Sequence, residues 1–332
     1  SADSGGGGML LYFSDPTLTH VTISNNTGVY GGGIYSNNSN ILIENSVISN
    51  NSALAGSGLY LIKSSIIMNN SMINENLAIS GESTSNGAAI YMNNLDEMAQ
   101  SIFENVQFIN NVSDGNTGGV RLYASSPIFK NVLIAGNTDQ GSGGGLRLLD
   151  ASHPILINTT IVNNTTLVGG GIHFDNIDGF ANSYLDAINS IVYQNSPESI
   201  YLYGDETPLI TYSDIEGGFE GEGNIDTDPL FTEDYTLQAD SPCIDAGTII
   251  EDMEYCGDSP DMGAYEYCEE ECGVELADVT GDGQINVLDL VQISYYVLEL
   301  STPAYPCAAD YNQDGQVNIL DLVQISNYIL NP

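Results

Sequence analysis

Short apolar runs bounded by Asn and Gly recur along the first two hundred residues of the chain. Runs such as Ile41–Ile43, Ile66–Met68 and Ile155–Ile157 are rich in β-branched residues and too short for helices. Asn and Gly are residues at which a chain turns sharply, because both tolerate a left-handed backbone. The pattern therefore predicts a mainly β fold made of many short strands.

A short segment that begins with Gly and ends in an aliphatic residue repeats at a nearly constant interval. The intervals between successive aliphatic positions are 25, 31, 30, 26 and 26 residues, and Asn pairs six residues apart follow the same period. The aliphatic positions are Ile34, Leu59, Ile90, Val120, Leu146 and Ile172, and the Asn pairs are Asn45 and Asn51, Asn70 and Asn76, Asn105 and Asn111, Asn131 and Asn137, Asn158 and Asn164, and Asn189 and Asn195. Two independent markers with one period predict stacked, equivalent coils.

The repeated Asn and Gly positions have a clear role in a parallel β-helix, in which each coil lies about 4.8 Å above the last. An Asn amide at a bend bonds to the same residue one coil away, so that a ladder of Asn side chains runs along the stack. We expect Asn131 and Asn158 to be inner members of such a ladder and Asn37 to be exposed. Gly at the opposite corner allows positive φ and close contact between coils.

The repeat also carries a family resemblance. The Gly-Gly-aliphatic segments, together with Phe103-Glu-Asn105 and Phe129-Lys-Asn131, resemble the repeats of polymorphic outer membrane protein-like β-helices. The resemblance implies that residues 1–200 form a right-handed parallel β-helix, which is a solenoid. Residues 201–268 are irregular and acidic. We expect them to form the terminal coils and a capping segment, because a stack of unpaired strand edges needs a cover.

One row of side chains is predicted to face outward on successive coils, because the residue after each repeated aliphatic position points to the opposite side of its strand. This outward row consists of Tyr35, Tyr60, Tyr91, Arg121, Arg147 and His173. Aromatic rings beside guanidinium groups suit sugar rings and uronate carboxylates, so the row is a candidate polysaccharide-binding site. The alternative is that the tyrosines favour strands and stack on one another without a ligand.

Two nearly identical segments near the C-terminus, Asp278–Asp289 and Asp310–Asp321, carry oxygen-bearing side chains at the spacing of an EF-hand loop. A Gly at position 6 of each loop, Gly283 or Gly315, allows the sharp turn around the ion. The predicted metal-ligand positions are Asp278, Thr280, Asp282, Gln284, Asn286, Asp289, Asp310, Asn312, Asp314, Gln316, Asn318 and Asp321. The loops predict two calcium ions. The first site should be weaker, because Thr280 supplies a hydroxyl where the second loop has an amide.

Apolar residues at helical spacing follow each loop, namely Leu290, Ile293 and Val297, and then Leu322, Ile325 and Ile329. A loop followed by one helix, present twice within residues 269–332, resembles a type I dockerin domain. The resemblance implies a small α-helical calcium-binding domain whose partner is a cohesin-like scaffold.

The residues that read the partner in dockerins lie at loop positions 10 and 11. In this chain they are Val287 and Leu288 in the first loop, and Ile319 and Leu320 in the second. Dockerins often have small hydroxyl residues at these positions, so four apolar residues are a departure from the pattern. They are candidate partner-binding residues, and three occupants remain open: a cohesin, another copy of this chain, or the chain's own β-helix.

The charge of the chain limits its partners. It has 44 acidic and 4 basic residues, and its formal net charge is −40. Repulsion therefore excludes nucleic acid and anionic membranes. Thirty of the acidic residues follow residue 196, and no Lys or Arg follows Arg147. The sequence has no apolar run of eighteen residues that would predict a transmembrane segment. Together with the calcium loops, this predicts an extracellular protein, secreted or associated with a cell surface.

All five cysteines follow residue 242, and their spacing favours disulfides over a zinc site, because no Cys-x-x-Cys pair or nearby His supplies tetrahedral ligands. Cys272 and Cys307 each precede one calcium loop, so we predict that they are bonded where the two loops pack as a pair. Cys243, Cys256 and Cys268 then leave one further bridge and one free thiol.

The sequence leaves three functions open. The first is attachment or assembly outside the cell through the dockerin-like tail. The second is a polysaccharide lyase or glycoside hydrolase that the tail delivers to a scaffold, with Asp150 and Asp175 as weak catalytic candidates because hydrolases of this kind use two opposed carboxylates. The third is a self-assembling filament or surface-layer rod. Only four Lys and Arg residues are present to serve as a lyase base, so attachment is favoured over catalysis.

Overall fold

The computed structural model describes residues 5–79, 87–94, 100–175, 182–203, 207–251, 253–268, 273–298, 300–312 and 316–330. The chain divides into two compact units, residues 1–267 and residues 268–332. The first unit is a β-solenoid, and the second is built around two helices. The mainly β fold and the small helical module predicted from the sequence are therefore confirmed.

The strands of the first unit are short, as the apolar runs predict, and only four of those described exceed five residues. In chain order they are β1 (Met9–Tyr12), β2 (Thr17–Thr19), β3 (Thr22–Ser24), β4 (Ile34–Asn37), β5 (Asn40–Glu44), β6 (Val47–Ser49), β7 (Ser52–Ala53), β8 (Leu59–Ile62), β9 (Ser65–Asn74), β10 (Leu77–Ala78), β11 (Ile90–Asn93), β12 (Ile102–Ile109), β13 (Val112–Ser113), β14 (Val120–Tyr123), β15 (Ile128–Ala135), β16 (Thr138–Asp139), β17 (Leu146–Leu149), β18 (Ile155–Val162), β19 (Ile172–Asp175), β20 (Asp186–Ile188), β21 (Ile191–Tyr193), β22 (Ile200–Tyr201), β23 (Leu209–Thr211) and β24 (Asp214–Ile215).

The first face of the solenoid is an eight-stranded parallel sheet in the order β1-β4-β8-β11-β14-β17-β19-β22. Strands of successive coils pair in register, so that Ile34 lies beside Leu59 and Leu59 beside Ile90. These repeated aliphatic residues are fully buried. Each coil adds one strand to this face, which produces a solenoid of about seven turns.

The second and third faces meet at a bend occupied by Asn. The strands β9, β12, β15 and β18 pass through this bend without a break, at Asn70, Asn105, Asn131 and Asn158. The φ angles of these four residues lie between 45° and 54°. Asn adopts such left-handed values at lower cost than most residues other than glycine. In other coils the same bend separates two short strands, for example β5 and β6.

The second Asn of each pair forms the inner asparagine ladder. The side-chain amide of each member donates to the side-chain oxygen of the Asn in the next coil, at distances of 2.9–3.1 Å. The fully buried members are Asn51, Asn76, Asn111, Asn137 and Asn164. Their amides also bond to backbone N–H and C=O groups that the corner leaves without strand partners, so the ladder satisfies the polar groups of this corner.

The first Asn of each pair lies on the outer side of the bend, and in the middle coils these residues form an outer asparagine ladder, in which Asn70 and Asn105 are exposed and Asn131 is half-buried. Asn105 donates to Asn70, and Asn131 donates to Asn105, both at 3.1 Å. The prediction that Asn131 is an inner member is therefore wrong, because its side chain projects away from the core at the left-handed bend. Asn158 is buried, but beneath a later segment of the first unit, where it donates to the backbone oxygen of Asp261 at 3.2 Å.

An aromatic cluster lies in the middle of the aliphatic interior. The rings of Phe103 and Phe129 are nearly parallel, with centroids 5.2 Å apart, and Phe108 meets both edge-on. All three side chains are fully buried. Burial of each contributes about 1.5–3 kcal/mol relative to exposure, so the Phe of the Phe-x-Asn repeat stabilises the corner that the Asn bends.

Residues 229–251 and 253–267, which we call the lateral segment, run along the outward side of the third face. The backbone N–H of Ala264 donates to Thr160 Oγ1 at 2.9 Å, and Gln107 Nε2 donates to the Tyr265 hydroxyl at 2.7 Å. Apolar side chains on the outward side of this face, such as Leu133 and Val162, pack against the segment. The cap at the end of the stack stays a prediction. The structure shows in addition that the lateral segment covers the third face, whose strands are apolar on both sides and need cover on both.

The second unit contains helix α1 (Val287–Val297), a 3₁₀ turn at Pro306–Ala309 and helix α2 (Ile319–Leu330). The predicted apolar positions of both helices face one small core, in which Ile293 and Ile325 are fully buried. Asn286 caps α1. Its side chain accepts from the backbone N–H of Leu288, and the Asp289 side chain accepts from the backbone N–H of Asn286. Each calcium-loop sequence therefore also supplies the start signal of the helix that follows it.

The cysteines are used in two ways. Cys256, Cys268 and Cys307 are disulfide-bonded, whereas Cys243 is a buried free thiol. Burial and the adjacent Asp214 carboxyl raise the pKa of Cys243, so the thiol stays protonated. Cys272 lies outside the described residues, and its pairing with Cys307 stays a prediction.

Candidate calcium sites and ligand-binding row

The first calcium loop brings together two of its carboxylates through Thr280. The Thr280 hydroxyl donates to Asp289 Oδ1 at 2.8 Å and lies 3.3 Å from Asp278 Oδ1. Asp278 also accepts backbone N–H bonds from residues 281, 282 and 283, which fixes the turn at Gly283. Gly283 has φ of +79° and open space on its side-chain face, so a glycine is required there by backbone conformation. The Asp282 carboxylate instead accepts from Gln284 N at 2.9 Å.

The described part of the second loop repeats this geometry. Asp321 accepts from the backbone N–H groups of Asn312 and Asn318, at 3.2 and 2.8 Å. Asp289 accepts from the equivalent positions 280 and 286 in the first loop, at 3.0 and 2.9 Å. Asp314 and Gly315 lie outside the described residues. In their described parts the two loops are therefore equivalent in structure as well as in sequence.

The buried carboxylates of the loops need a cation. Asp278, Asp289 and Asp321 are at most 3 % exposed, and the chain has no Lys or Arg after residue 147. A buried carboxylate that lacks an opposite charge is strongly disfavoured. Within the described residues no group of three or more His, Cys, Asp or Glu side chains forms a ready metal cluster. The all-oxygen donor set nevertheless fits calcium, which prefers carboxylate and carbonyl ligands.

Two of the predicted ligand positions have a second role. The side-chain oxygens of Asn286 and Asn318 accept the backbone N–H of Leu288 and Leu320, each at 2.8 Å. In the described structure these amide oxygens therefore cap the helices. Position 9 of an EF-hand loop often reaches its ion through water, which is compatible with this use of the amide.

Four apolar side chains stand on the surface at the starts of the two helices. Val287 and Leu288 are 60 % and 59 % exposed, and Ile319 and Leu320 are 67 % and 56 % exposed. We call these four residues the apolar face. Because the two loops are equivalent, the apolar face contains two similar pairs. Exposed apolar side chains of this kind at the start of each helix are typical of protein-interaction sites.

On the first unit, the structure places the whole outward row in register on the first face. The paired residues are Tyr35 with Tyr60, Tyr60 with Tyr91, Tyr91 with Arg121, Arg121 with Arg147, and Arg147 with His173. The row extends one coil further, because His173 pairs with Tyr201 and their rings stack at 4.9 Å. The sequence therefore predicted the alignment of the row correctly, but not its exposure, because Tyr91, Arg147 and His173 are at most 8 % exposed.

The tyrosines of the row stack on one another. The ring centroids of Tyr35 and Tyr60 are 5.5 Å apart, and those of Tyr60 and Tyr91 are 4.8 Å apart, with nearly parallel rings. Their faces are thus covered by their neighbours, as the ligand-free alternative expected. The hydroxyls of Tyr35 and Tyr91 accept from the amides of Asn37 and Asn93 at 3.4 Å. A ligand at these coils would therefore meet hydroxyl and amide edges, not open ring faces.

At the end of the row that carries Arg147 and His173, both side chains contact the carboxylate of Asp175. Arg147 donates to Asp175 through Nε, at 2.8 Å, and through Nη2, while its Nη1 donates to Asn116 at 2.8 Å. His173 Nε2 lies 3.6 Å from the same carboxylate. Burial alone would raise the pKa of Asp175. The hydrogen bonds and charges of His173 and Arg147 outweigh that effect and lower the pKa to about 2. Asp175 is therefore a fixed negative charge inside a cationic cluster.

The two catalytic candidates have different environments. Asp150 follows β17 and has a left-handed φ of 47°. Its side chain interacts with Tyr123, and burial together with the Asp150 charge raises the pKa of Tyr123. Asp175 pairs in register with Leu149, one residue before Asp150. A carboxyl with a pKa of about 2 does not donate a proton near neutral pH, so Asp175 is unsuited to be the general acid of a hydrolase.

Three polar residues beside the row were missed by the sequence reasoning: Asn116, Thr117 and Asp139. Asn116 and Thr117 lie in the turn that follows β13, and Asp139 is the last residue of β16. One signal was available for Asp139. It occupies the position held by Ala53, Ala78 and Ser113 in the preceding coils, so a buried carboxylate replaces small side chains there.

Two buried carboxyls, Asp214 at the end of the solenoid and Glu266 in the lateral segment, have raised pKa values. Burial, with the nearby Asp261 charge, raises the pKa of Glu266 to about 7, and burial raises that of Asp214 to about 6. The folded state therefore binds protons that the unfolded chain releases between about pH 4.5 and 7. We expect the solenoid to become more stable as the pH is lowered from 8 to 5.5.

This pH dependence can be measured by thermal unfolding of the full chain in excess calcium, following the solenoid transition. Glu266→Gln should flatten the dependence near pH 7, because the titrating group is removed. The exposed Glu233→Gln, in the same segment, should leave the slope unchanged. A solenoid that loses stability on acidification over this range would contradict the prediction.

Comparison with known families agrees with both parts of the chain. Residues 276–330 match the family described as the dockerin type I domain, and residues 1–138 match the family described as the right handed beta helix region. The chain therefore combines a right-handed β-helix region with a C-terminal type I dockerin domain. Neither a curated protein nor a solved structure shows significant similarity to it.

The dockerin assignment carries functional information. A type I dockerin typically binds calcium, and it implies a cohesin-bearing scaffold as partner and an extracellular assembly of the cellulosome type. No described helix is both long enough and apolar enough to cross a membrane.

Proposed function

We propose that this protein is an extracellular component whose dockerin, folded around two calcium ions, attaches the β-helix to a cohesin-bearing scaffold through the apolar face. The observation that carries the proposal is the exposure of Val287, Leu288, Ile319 and Leu320, each more than half exposed, at equivalent places of two loop–helix repeats. Solvated apolar side chains gain about 25 cal/mol for each Å² that a partner covers. The face therefore favours association.

The chemistry of the apolar face selects its partner. Loop positions 10 and 11 carry no hydroxyl or charge in either repeat. A cohesin that reads polar residues at these positions would bury unpaired polar groups against this chain, at a cost of about 1–3 kcal/mol each. The preferred cohesin is therefore one with an apolar recognition surface.

We expect charging the apolar face to abolish docking. The test variant carries Val287→Glu, Leu288→Glu, Ile319→Glu and Leu320→Glu, and binding to a panel of purified type I cohesins is measured in calcium. Residues at the centre of an interface each contribute about 2 kcal/mol or more, so two altered pairs should remove measurable affinity. Changing one pair alone should show whether one repeat is sufficient.

The matched control for docking is Ile249→Glu, because Ile249 is an exposed apolar residue of the first unit, 62 % accessible. It should bind cohesin like the native chain. Helical circular dichroism in calcium should be the same for all variants. If the charged variant binds every cohesin as tightly as the native chain, the apolar face is not the docking surface. If the native chain forms filaments and binds no cohesin, the self-assembling rod is favoured instead.

We propose that the solenoid contributes a ligand-binding surface to the assembly, with the outward row as a polysaccharide site. The support is the register of the row, which places a tyrosine hydroxyl or a guanidinium group at the same position of successive coils, with the amides of Asn37 and Asn93 beside Tyr35 and Tyr91. Because the tyrosine faces are stacked, recognition would use hydrogen bonds from the edges of the row. Tyr91→Phe together with Asn93→Ala should then weaken polysaccharide binding without loss of folding.

A docked lyase or glycoside hydrolase is the alternative proposal. Asp175 is held ionised by Arg147 and His173, so it could stabilise positive charge in a reaction but could not donate a proton. Release of products from a polysaccharide by the native chain, and its loss in Asp175→Asn, would favour this alternative. Absence of turnover together with cohesin binding would favour attachment.

A further inference from the structure

A row of aliphatic side chains lies on the outward side of the second face. Its members pair in register on successive coils, and none of them is fully buried: Ile67 is 42 % exposed and the others are half-buried. We call this row the aliphatic stripe, and it consists of Leu42, Ile67, Ile102, Ile128 and Ile155. Because coils lie about 4.8 Å apart, the stripe is about 19 Å long.

The stripe differs from the third face of the same strands, which is covered. Leu133 and Val162, on the outward side of the third face, are at most 2 % exposed and pack against the lateral segment. Ile128 and Ile155 lie on the same two strands but are open to solvent. Parallel sheets are normally covered on both sides. The stripe therefore continues a surface that the chain itself covers on the third face, and it needs a partner of its own.

Two opposite charges lie beside the centre of the stripe. Glu104 and Lys130 follow Ile102 and Ile128 by two residues, so they project on the same outward side of β12 and β15. Their side chains form an ion pair of 2.9 Å and are 36–37 % exposed. Lys130 is one of only four Lys and Arg residues in the chain. A partner for the stripe should therefore have an aliphatic row flanked by one anion and one cation.

We infer that two copies of the protein associate through their second faces, stripe against stripe, about a two-fold axis that runs parallel to the strands between β12 and β15. Two-fold symmetry brings the same patch of both copies together, and it reverses the order of the coils in the facing copy. Ile102 then meets Ile128 of the second copy, and Ile67 meets Ile155. Two sheets whose strands are aligned in this way pack face to face in many proteins.

The charges beside the stripe determine the position of the axis. With the axis between β12 and β15, Glu104 of each copy faces Lys130 of the other, so four charges alternate in sign. An axis on β12 would place Glu104 opposite Glu104, and an axis on β15 would place Lys130 opposite Lys130. Exposed ion pairs add little affinity, about 1 kcal/mol or less, but like charges that face each other disfavour the wrong arrangement.

The chemistry of the stripe favours a second copy over other occupants. All five side chains are aliphatic, so the stripe offers a sugar ring no aromatic face, and the net charge of −40 repels anionic lipid. A second copy offers an aliphatic row of the same length together with a matching pair of charges. Thirty of the 44 acidic residues follow residue 196, and salt screens exposed charges beyond about 8–10 Å. Association is therefore expected at physiological salt.

This pairing goes beyond the proposed attachment through the dockerin and does not depend on it. Each dimer would carry two dockerins, so it could bind two cohesins of one scaffold, and the second binding event would then be intramolecular. The dimer would also leave the outward row of the first face uncovered, because that row lies on a different sheet.

The first test is sedimentation equilibrium of the full chain in calcium and physiological salt. The native chain should form a dimer, and Ile102→Glu together with Ile128→Glu should make it a monomer, because two charges per copy would be buried in the interface. The matched control is Leu167→Glu, since Leu167 is an aliphatic residue outside the stripe that is 72 % exposed. It should remain a dimer. A native chain that stays monomeric at about 100 μM, where even a weak dimer would form, would overturn the inference.

The second test exchanges the charges and holds even if the isoleucine variants do not fold. Glu104→Lys and Lys130→Glu should each weaken self-association about tenfold or more, because two like-charged pairs then face each other. A mixture of the two variants should form mixed dimers with the native affinity, because opposite charges again meet across the interface. Pairing within one chain cannot produce this recovery, so a mixture that does not recover would overturn the two-fold arrangement.

The charged variant of the apolar face separates this dimer from association through the dockerin. It carries Glu at positions 287, 288, 319 and 320 and keeps the stripe unchanged. It should dimerise as the native chain does. Loss of the dimer in this variant would show that the apolar face carries self-association, and it would overturn the pairing of second faces.

Discussion

Removal of calcium is expected to unfold the second unit and to leave the solenoid intact. Its loops bury Asp278, Asp289 and Asp321 in a region without Lys or Arg, so without the ions these carboxylates repel one another in a poorly solvated place. Two ions, each at a hundred times its dissociation constant, would contribute about 5 kcal/mol to folding. That is a large part of the stability of a module of this size.

Chelation is followed by far-ultraviolet circular dichroism and by limited proteolysis of the full chain. The helical signal and the protease resistance of residues 273–330 should be lost in excess chelator and return with calcium. Asp310→Ala should remove one of two binding events, and Thr280→Asp should tighten the weaker one. A tail that stays helical and resistant in excess chelator would show that its apolar core alone holds it together.

The second large effect is expected from Asn137→Leu. Asn137 Nδ2 donates to Phe108 O and to Asn164 Oδ1, both at 2.9 Å, and its Oδ1 accepts from the backbone and side chain of Asn111. Leucine would remove all four bonds and leave buried groups unpaired on two neighbouring coils. At about 1–3 kcal/mol for each unpaired group, the loss of stability should be on the order of 4 kcal/mol.

Denaturant unfolding of the solenoid, with calcium present, measures this loss. Asn131→Leu is the matched control, because Asn131 belongs to the outer asparagine ladder and makes one exposed bond to Asn105. Its cost should be about 1–2 kcal/mol, mostly from placing leucine at a left-handed φ of 52°. Similar losses for the two variants would contradict the assignment of the inner ladder.

The repeat period, the alignment of the outward row and the calcium loops could all be predicted from the sequence. Each depends on spacing along the chain: one coil every 25 to 31 residues brings Tyr35, Tyr60 and Tyr91 to equivalent positions. The helices of the second unit were predictable for the same reason, since Ile293 and Ile325 sit at matching places after matching loops. Local patterns of this kind depend on backbone geometry, which neighbouring residues determine.

The direction and partners of polar side chains depended on the tertiary structure. Both Asn positions of each pair read alike in the sequence, but only the backbone conformation places Asn137 inward and Asn131 outward. The lateral segment covers apolar side chains on the outward side of β15 and β18, and the formation of these strands is what brings those side chains together. Arg121 and Arg147 are also alike in the sequence, yet Asp175, from the next coil, bonds to Arg147 and not to Arg121. Sequence spacing determines which residues are equivalent along the stack, whereas hydrogen bonds between coils decide which of those equivalents remain available to a ligand.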